Sequence, residues 1–245
     1  MRQQSLSIVV PALNERRHLA ATVDRLKKAL AAASLTDYEV IIINDGSTDG
    51  TDEVARGLGG SDPCVRSFDN PGNLGLGASY TRGILQASKD YLVYIPADNS
   101  WPYESLLALF GSMAKADIVT SYASNPEVRG WGRRIISRLF TLALNFLFNR
   151  RMKYFNGLTI YPIEFLRTTR VNSTGFAFQA ELMLKALFQD FSVIQLKLPI
   201  DEQTARSSKA VSVKNIQNVL ATVIRLFFEL QVLRRFQNGI ASTPD

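Results

Sequence analysis

The run EVIIINDGSTDGT, residues 39–51, passes from a strand through a turn to the start of a helix. Glu39 to Ile43 is short, β-branched and apolar on both sides of the chain, as expected of a strand buried on both faces. Asn44-Asp45-Gly46-Ser47-Thr48-Asp49-Gly50-Thr51 then contains two Asp-Gly-type turns and hydroxyl residues able to cap a following helix. Upstream, Leu6 to Val10 (LSIVV) predicts a first buried strand stopped by Pro11. Asn14-Glu15 and a helix follow, the helix with an apolar stripe of Leu19, Val23, Leu26 and Leu30. Downstream, Cys64 to Phe68 predicts a third strand, and Asn73-Leu-Gly-Leu-Gly-Ala78 opens another helix. Alternating strands and helices at this spacing predict an α/β fold with a mostly parallel central sheet and helices on both faces.

The fourth strand is Tyr91 to Ile95, within DYLVYIPADNSWP (residues 90–102). Pro96 ends it, Asp98, Asn99 and Ser100 occupy the turn beyond, and Pro102 suits the first turn of a helix over Tyr103 to Met113. Leu106, Leu107 and Phe110 are expected to face inward there. Strands are further expected at Asp117 to Ser121, Gly157 to Tyr161 and Val193 to Leu198, and a helix at Gly175 to Leu187. Four polar clusters thereby fall at one edge of the sheet: Asn14-Glu15, Asn44-Asp45, the Gly75/Gly77 loop and Asp98. In open α/β sheets ligands bind beyond the carboxyl ends of the strands. Carboxylates such as Glu15 and Asp45 suit a ribose diol or a base edge, and Gly75 and Gly77 would let backbone amides approach a ligand. A lone Asp98 near a diphosphate calls for a divalent cation between them, and one or two carboxylates with phosphate oxygens and water suffice for Mg2+ or Mn2+. Arg206 and Lys209, in a polar segment, could clamp a departing diphosphate, or belong to an ordinary solvated linker.

The composition is that of a globular protein, 46% apolar and 20% charged, with a net charge of +6 that suits an anionic partner. One cysteine, Cys64, excludes an internal disulfide framework, and one histidine, His18, excludes a multi-histidine metal site. No apolar run precedes Ser5, so a cytoplasmic protein is expected. Ile135 to Phe148 is almost unbroken in its apolarity and is flanked by Arg133, Arg134, Arg138, Arg150, Arg151 and Lys153. It is too short to span a bilayer, and reads either as a core helix or as one lying in a membrane interface. Val211 to Arg235 predicts a long amphipathic helix, with Ile216, Val219, Val223, Leu226, Phe227, Leu230 and Leu233 on one face and Lys214, Arg225, Arg234 and Arg235 off it. It could pack on the domain, dock on a membrane or form a homodimer. The domains expected are 1–210 and, with this helix and the tail, 211–245. Nucleic-acid binding is not expected, because the basic residues lie beside apolar helices and not among exposed aromatics.

IVVPALNE, VIIINDGSTDGT, NLGLGASYTRG and the strand ending in ADNS resemble, in order and spacing, the family 2 glycosyltransferases of GT-A fold. Asn156-Gly157 with Tyr161, GFAFQAEL and Arg206-Ser-Ser-Lys209 resemble the dolichyl- and polyprenyl-phosphate sugar synthase branch. The resemblance implies that Pro11, Asn14, Glu15 and Asp45 hold the nucleoside of a sugar-nucleotide donor. It also implies that Asp98 holds Mg2+ or Mn2+ with Ser100 near it, and that Arg206 and Lys209 grip phosphates. Pro96 departs from it, standing where the family usually has an acid. The reaction expected is inverting transfer of a sugar from a nucleoside diphosphate to a polyprenyl phosphate, by a protein peripheral to the inner face of the membrane. An acceptor phosphate is already anionic, so no protein base is needed. Two rivals stand beside this reading. One is transfer to a saccharide or lipid hydroxyl with Glu181 or Asp201 as base; the other is a sugar-nucleotide-binding protein of little activity, suggested by Pro96.

Overall fold

The computed structural model describes residues 4–113, 115–173, 177–201 and 221–233. The two apolar runs at the start of the chain become central strands, β1 (Ser5–Ala12) and β2 (Asp37–Asn44), paired in parallel from Ser5 opposite Asp37 to Ala12 opposite Asn44. Their side chains alternate between two cores. Ile8, Val10, Val40 and Ile42 face α1 (Leu19–Ala32), α2 (Thr51–Ser61) and α4 (Tyr103–Phe110). Val9, Ile41 and Ile43 face α3 (Leu76–Gln86), α5 (Trp131–Phe148), α6 (Ile163–Thr168) and α7 (Phe178–Phe188). Burial on both faces is why these strands read as continuous hydrophobic runs and not as alternating ones.

β3 (Val65–Asp69), β4 (Tyr91–Tyr94), β5 (Ile118–Ala123), β6 (Thr159–Pro162) and β7 (Val193–Leu198) complete a seven-stranded sheet of order β3-β2-β1-β4-β6-β5-β7. All neighbours run parallel except β6, which is antiparallel to both β4 and β5. Its orientation follows from the chain: β6 arrives through α5, turns directly into α6 at Pro162–Ile163, and so points its amino end at the edge where β4 and β5 end. The short α6 has no sequence pattern of its own.

Three local expectations are corrected. Pro11 does not stop β1, which continues to Ala12. The Val9 carbonyl accepts from the Ile95 amide, so Pro11, two residues on, directs its missing donor at the same neighbour beyond the end of β4. In α4, Leu109 joins Leu106 and Phe110 in the core while Leu107 is half-buried. Arg225 does not lie off the packed face of the C-terminal helix but reaches inward to Glu181. Residues 221–227 are helical and continue into a π-helical turn, Phe228–Leu233; Leu226 is buried, and Val223, Phe227 and Leu230 pack on the same core as α5 and α7. The rest of that expected helix, with Arg206, Lys209 and Lys214, lies outside the described residues, as do Gly175 and Phe176.

Candidate active site

The strand order reverses between β1 and β4, and the loops that leave both strands there carry the polar clusters. The β1–α1 and β2–α2 loops are locked together. The Asn14 amide donates to Ser47 Oγ at 3.0 Å, its own Oδ1 accepts from the Thr48 amide at 2.9 Å, and the Glu15 amide donates to Thr51 Oγ1 at 2.8 Å. Asn14 adopts φ +57°, one of the few residue types that does so at small cost. Pro11 sits in β1 opposite Ile43, beneath this loop.

Asp45 is buried, and its carboxylate accepts from Asn70 Nδ2 at 2.7 Å, the Leu74 amide at 3.0 Å and the Gly75 amide at 2.9 Å. The expectation that Gly75 offers its amide to a ligand is therefore corrected, since that amide is taken by Asp45. Gly77 lies buried in α3. Of about four lone-pair sites on a carboxylate, three hold the glycine loop, leaving about one for a ligand. Gly46 makes this arrangement possible: it sits at φ +72°, and a Cβ there would lie 2.5 Å from the Gly72 carbonyl carbon.

Asp98 is half-buried on the turn after β4, its Oδ1 accepting from the Ser100 amide at 3.1 Å. Among the described residues no hydrogen bond takes its Oδ2. The turn is braced by Arg25, which donates to the Asn99 and Trp101 carbonyls, and by the Asp201 amide, which donates to the Ser100 carbonyl at 2.9 Å. Among the described residues no group of three His, Cys, Asp or Glu side chains could hold a metal. A cation bound here would need phosphate oxygens to complete its shell, which is the mode that Mg2+ and Mn2+ favour. A carboxylate oxygen without a hydrogen bond among the described residues, on a braced turn at the switch point, fits that mode.

Arg133, one of the arginines flanking the apolar run of α5, lies in the electrostatic neighbourhood of Asp98, and Arg129 lies near Arg133. Arg133, on the first turn of α5, has its pKa lowered by burial and by Arg129, opposed by the nearby Tyr154, Asp98 and Tyr94. Arg129 Nη1 donates to Tyr154 Oη at 3.4 Å and its guanidinium lies over that ring. The Tyr94 hydroxyl is pushed well up in pKa by burial first and by the Asp98 charge second, so it stays protonated. The one sequence signal for this pair was the run of arginines around α5.

Glu181, offered above as a base for a hydroxyl acceptor, is fully enclosed. Its carboxylate accepts from the Asn172 and Ser173 amides and Ser173 Oγ, and pairs with Arg225 Nη2 at 2.9 Å and Lys185 Nζ at 3.0 Å. Burial alone would raise its pKa, but these hydrogen bonds, that of Arg225 first, bring it down to about 2. It is a fixed anion that ties α7 to the C-terminal helix, without the proton affinity of a base. Asp201 stands 3.9 Å from Arg25.

The model of glycosyl transferase family 2 matches residues 7–174. This chain belongs to that family. As a family 2 glycosyltransferase it is similar to the polyprenol monophosphomannose synthase of Mycolicibacterium smegmatis, 28% identical over 239 residues that span 90% of this chain and 86% of that protein. It is also 39% identical to the succinoglycan biosynthesis protein ExoA of Rhizobium meliloti, over 97 residues that cover 39% of this chain and 28% of that protein. Among solved structures it resembles glucosyl-3-phosphoglycerate synthase from Mycobacterium tuberculosis in complex with Mn2+, uridine diphosphate and phosphoglyceric acid. The TM-score is 0.70 at 20% identity, covering 91% of this chain and 78% of that one. The same enzyme with Mg2+ and uridine diphosphate gives a TM-score of 0.68. The fold is thus the GT-A fold of nucleotide-diphospho-sugar transferases.

Proposed function

We propose that this family 2 glycosyltransferase moves a sugar from a nucleoside-diphosphate sugar to a polyprenyl phosphate, with inversion and with help from Mg2+ or Mn2+. The observation that carries the reading is Asp98 on the braced turn at the switch point, with Arg133 in its electrostatic neighbourhood, together with a Glu181 whose enclosed carboxylate is held as a fixed anion by Arg225, Lys185 and Ser173. Pro11, Asn14, Glu15 and the remaining lone pair of Asp45 would receive the nucleoside. Asp98, with Ser100 beside it, would hold the cation against the diphosphate, where the metal supplies charge neutralisation of the leaving group. Arg129 and Arg133 would hold the acceptor phosphate, whose oxygen needs no deprotonation before it attacks the anomeric carbon. Arg206 and Lys209 would add positive charge for the leaving diphosphate. The 28% identity to a polyprenol monophosphomannose synthase over nearly the whole of both chains supports this acceptor class over a free hydroxyl. The solved relative's Mn2+ and uridine diphosphate support the donor and cation.

A lipid acceptor asks for a lipid-facing surface. α5 buries only Thr141, Leu144 and Phe148 and leaves Trp131, Leu139, Leu142 and Phe146 mostly exposed, Phe146 at 87%. Ile224 and Phe228 of the C-terminal helix are exposed as well, and Arg134, Arg138 and Arg151 border the face. Among the described residues no helix is long and apolar enough to cross a membrane. An apolar stripe with cationic borders fits a helix lying on an anionic bilayer, with the 1–210 unit above it. The test is transfer by purified protein with Mn2+, a labelled nucleotide sugar and polyprenyl phosphate; product formed only with a soluble hydroxyl acceptor overturns the reading. Phe146→Glu with Leu142→Glu should abolish sedimentation with phosphatidylglycerol vesicles. If it instead converts a dimer to a monomer and leaves vesicle binding intact, the face is a subunit contact.

A further inference from the structure

Asn156-Gly157 lies just before β6. β6 is antiparallel to β4, with Val93 opposite Ile160 and Tyr91 opposite Pro162, so the residues just before β6 emerge at the edge from which Asp98 leaves β4. Gly157 fixes this placement. A Cβ on it would lie 1.7 Å from the Ser121 carbonyl oxygen, so only glycine lets the start of β6 close on β5 here. Phe155, Gly157 and Leu158 are buried, which holds the backbone of Asn156 rigidly between them. Two residues back, Tyr154 meets Arg129 and lies in the same electrostatic neighbourhood as Tyr94 and Arg133 beside Asp98.

The Asn156 side chain is half-buried, yet its Oδ1 is shielded from solvent and has no hydrogen-bond partner among the described residues. A buried amide oxygen without a partner is costly to keep. An asparagine kept only for packing would shed that cost by becoming apolar. Its amide carries one acceptor and two donors, the complement that vicinal hydroxyls require. Along the edge the order is β1, β4, β6: nucleoside loops, then Asp98, then Asn156. A glycosyl group hangs from the far phosphate, so it falls on the strand after the one that holds the diphosphate.

Resting on the glycosyltransferase reading above, we propose that Asn156 is a specificity-determining residue that hydrogen-bonds a hydroxyl of the donor's sugar ring. A site built to bond a hydroxyl discriminates against a donor that lacks it or presents it on the other face.

The experiment compares the wild type with Asn156→Ala and, should that variant fail to fold, Asn156→Ser. Calorimetry with Mn2+ measures UDP, UDP-glucose, UDP-galactose, GDP and GDP-mannose, and thermal unfolding is followed without ligand. The wild type should bind one of the sugar nucleotides more tightly than its parent diphosphate and separate it from the others. In the variant that gain should fall by about tenfold. Affinity for the bare diphosphate and the unliganded Tm should stay put or, for Tm, rise. Three outcomes overturn the assignment: an unchanged sugar gain, an equal loss for diphosphate and sugar nucleotide, or a Tm lowered by several degrees. A wild type that binds the diphosphates but gains nothing from any of these sugars overturns it too. A wild type that binds no nucleoside diphosphate overturns the glycosyltransferase reading itself.

Discussion

Replacing Glu181 with Gln separates a base from a structural anion. In the folded chain the carboxyl is held at about 2 against an ordinary 4.5, a difference that converts to about 3 kcal/mol of stability at neutral pH. Breaking a buried ion pair on one side costs about 3–5 kcal/mol. The low end applies, because Lys185 keeps Glu229 at 3.0 Å and the Arg170 carbonyl at 2.7 Å, and Arg225 keeps Glu229 at 3.2 Å. For a chain of this size about 3 kcal/mol lowers Tm by roughly 6–12 °C. The pH dependence has a definite sign. A depressed carboxyl pKa contributes stability above the unfolded value, and that contribution is lost as the pH falls from about 4.5 towards 2. Urea unfolding at pH 7 and along an acid series should therefore show Glu181→Gln weaker at pH 7, with the gap to the wild type closing towards pH 2. Donor affinity of the folded variant should be near normal. If Glu181→Gln melts like the wild type at pH 7 and binds donor, yet has lost turnover, the carboxylate is a base and the hydroxyl-acceptor reading takes over.

Asp98→Asn should leave the fold intact, remove most of the Mn2+-dependent gain in UDP affinity seen by calorimetry, and lower turnover by about a hundredfold or more. Full turnover in that variant would sink the metal reading. Arg133→Ala should raise the KM for polyprenyl phosphate by about tenfold or more, the value of a charge-assisted hydrogen bond, with the donor Kd unchanged; a change in donor Kd alone would place the arginine on the wrong substrate. Gly46→Ala forces a side chain into φ +72° and into the Gly72 backbone, so it should unfold at least about 2 kcal/mol more easily and weaken nucleotide binding, as read by urea titration. Wild-type behaviour in both would show that the β2–α2 and glycine loops need not touch.

The parallel half of the sheet was legible because strands buried on both faces leave unmistakable apolar runs, LSIVV and EVIII, each ending in a polar cluster. Asp98 was legible for the same reason, since Pro96 marks where its strand must stop. What lay hidden depended on contacts distant in sequence. Asp45 looked like a ligand-binding carboxylate, yet most of its capacity goes to Asn70, Leu74 and Gly75, about 25 to 30 residues away. Arg225 read as a solvent-facing cation because helical periodicity cannot show that Glu181, 44 residues earlier, lies buried opposite it. The direction of β6 was hidden too, for four residues carry no record of which way they run.

Pro96 looked at first like the loss of a metal site. Where the usual acid would stand there is no charge, but Arg133, itself near Arg129, lies in the field of the remaining acid. On the proposed reaction the cleft gathers a diphosphate and an acceptor phosphate, so anionic charge is already in excess there. A second carboxylate would hold the cation more tightly and would also repel both phosphates, an effect that grows as burial lowers the local dielectric. Two arginines achieve much of the same neutralisation without a proton to lose at neutral pH, and they meet phosphate oxygens directly. On that reaction, positive charge at and just before the start of α5 would move the burden of acceptor-phosphate neutralisation from the metal towards the protein. The departure at position 96 is then consistent with activity, and with a cation held mainly by the nucleotide it neutralises.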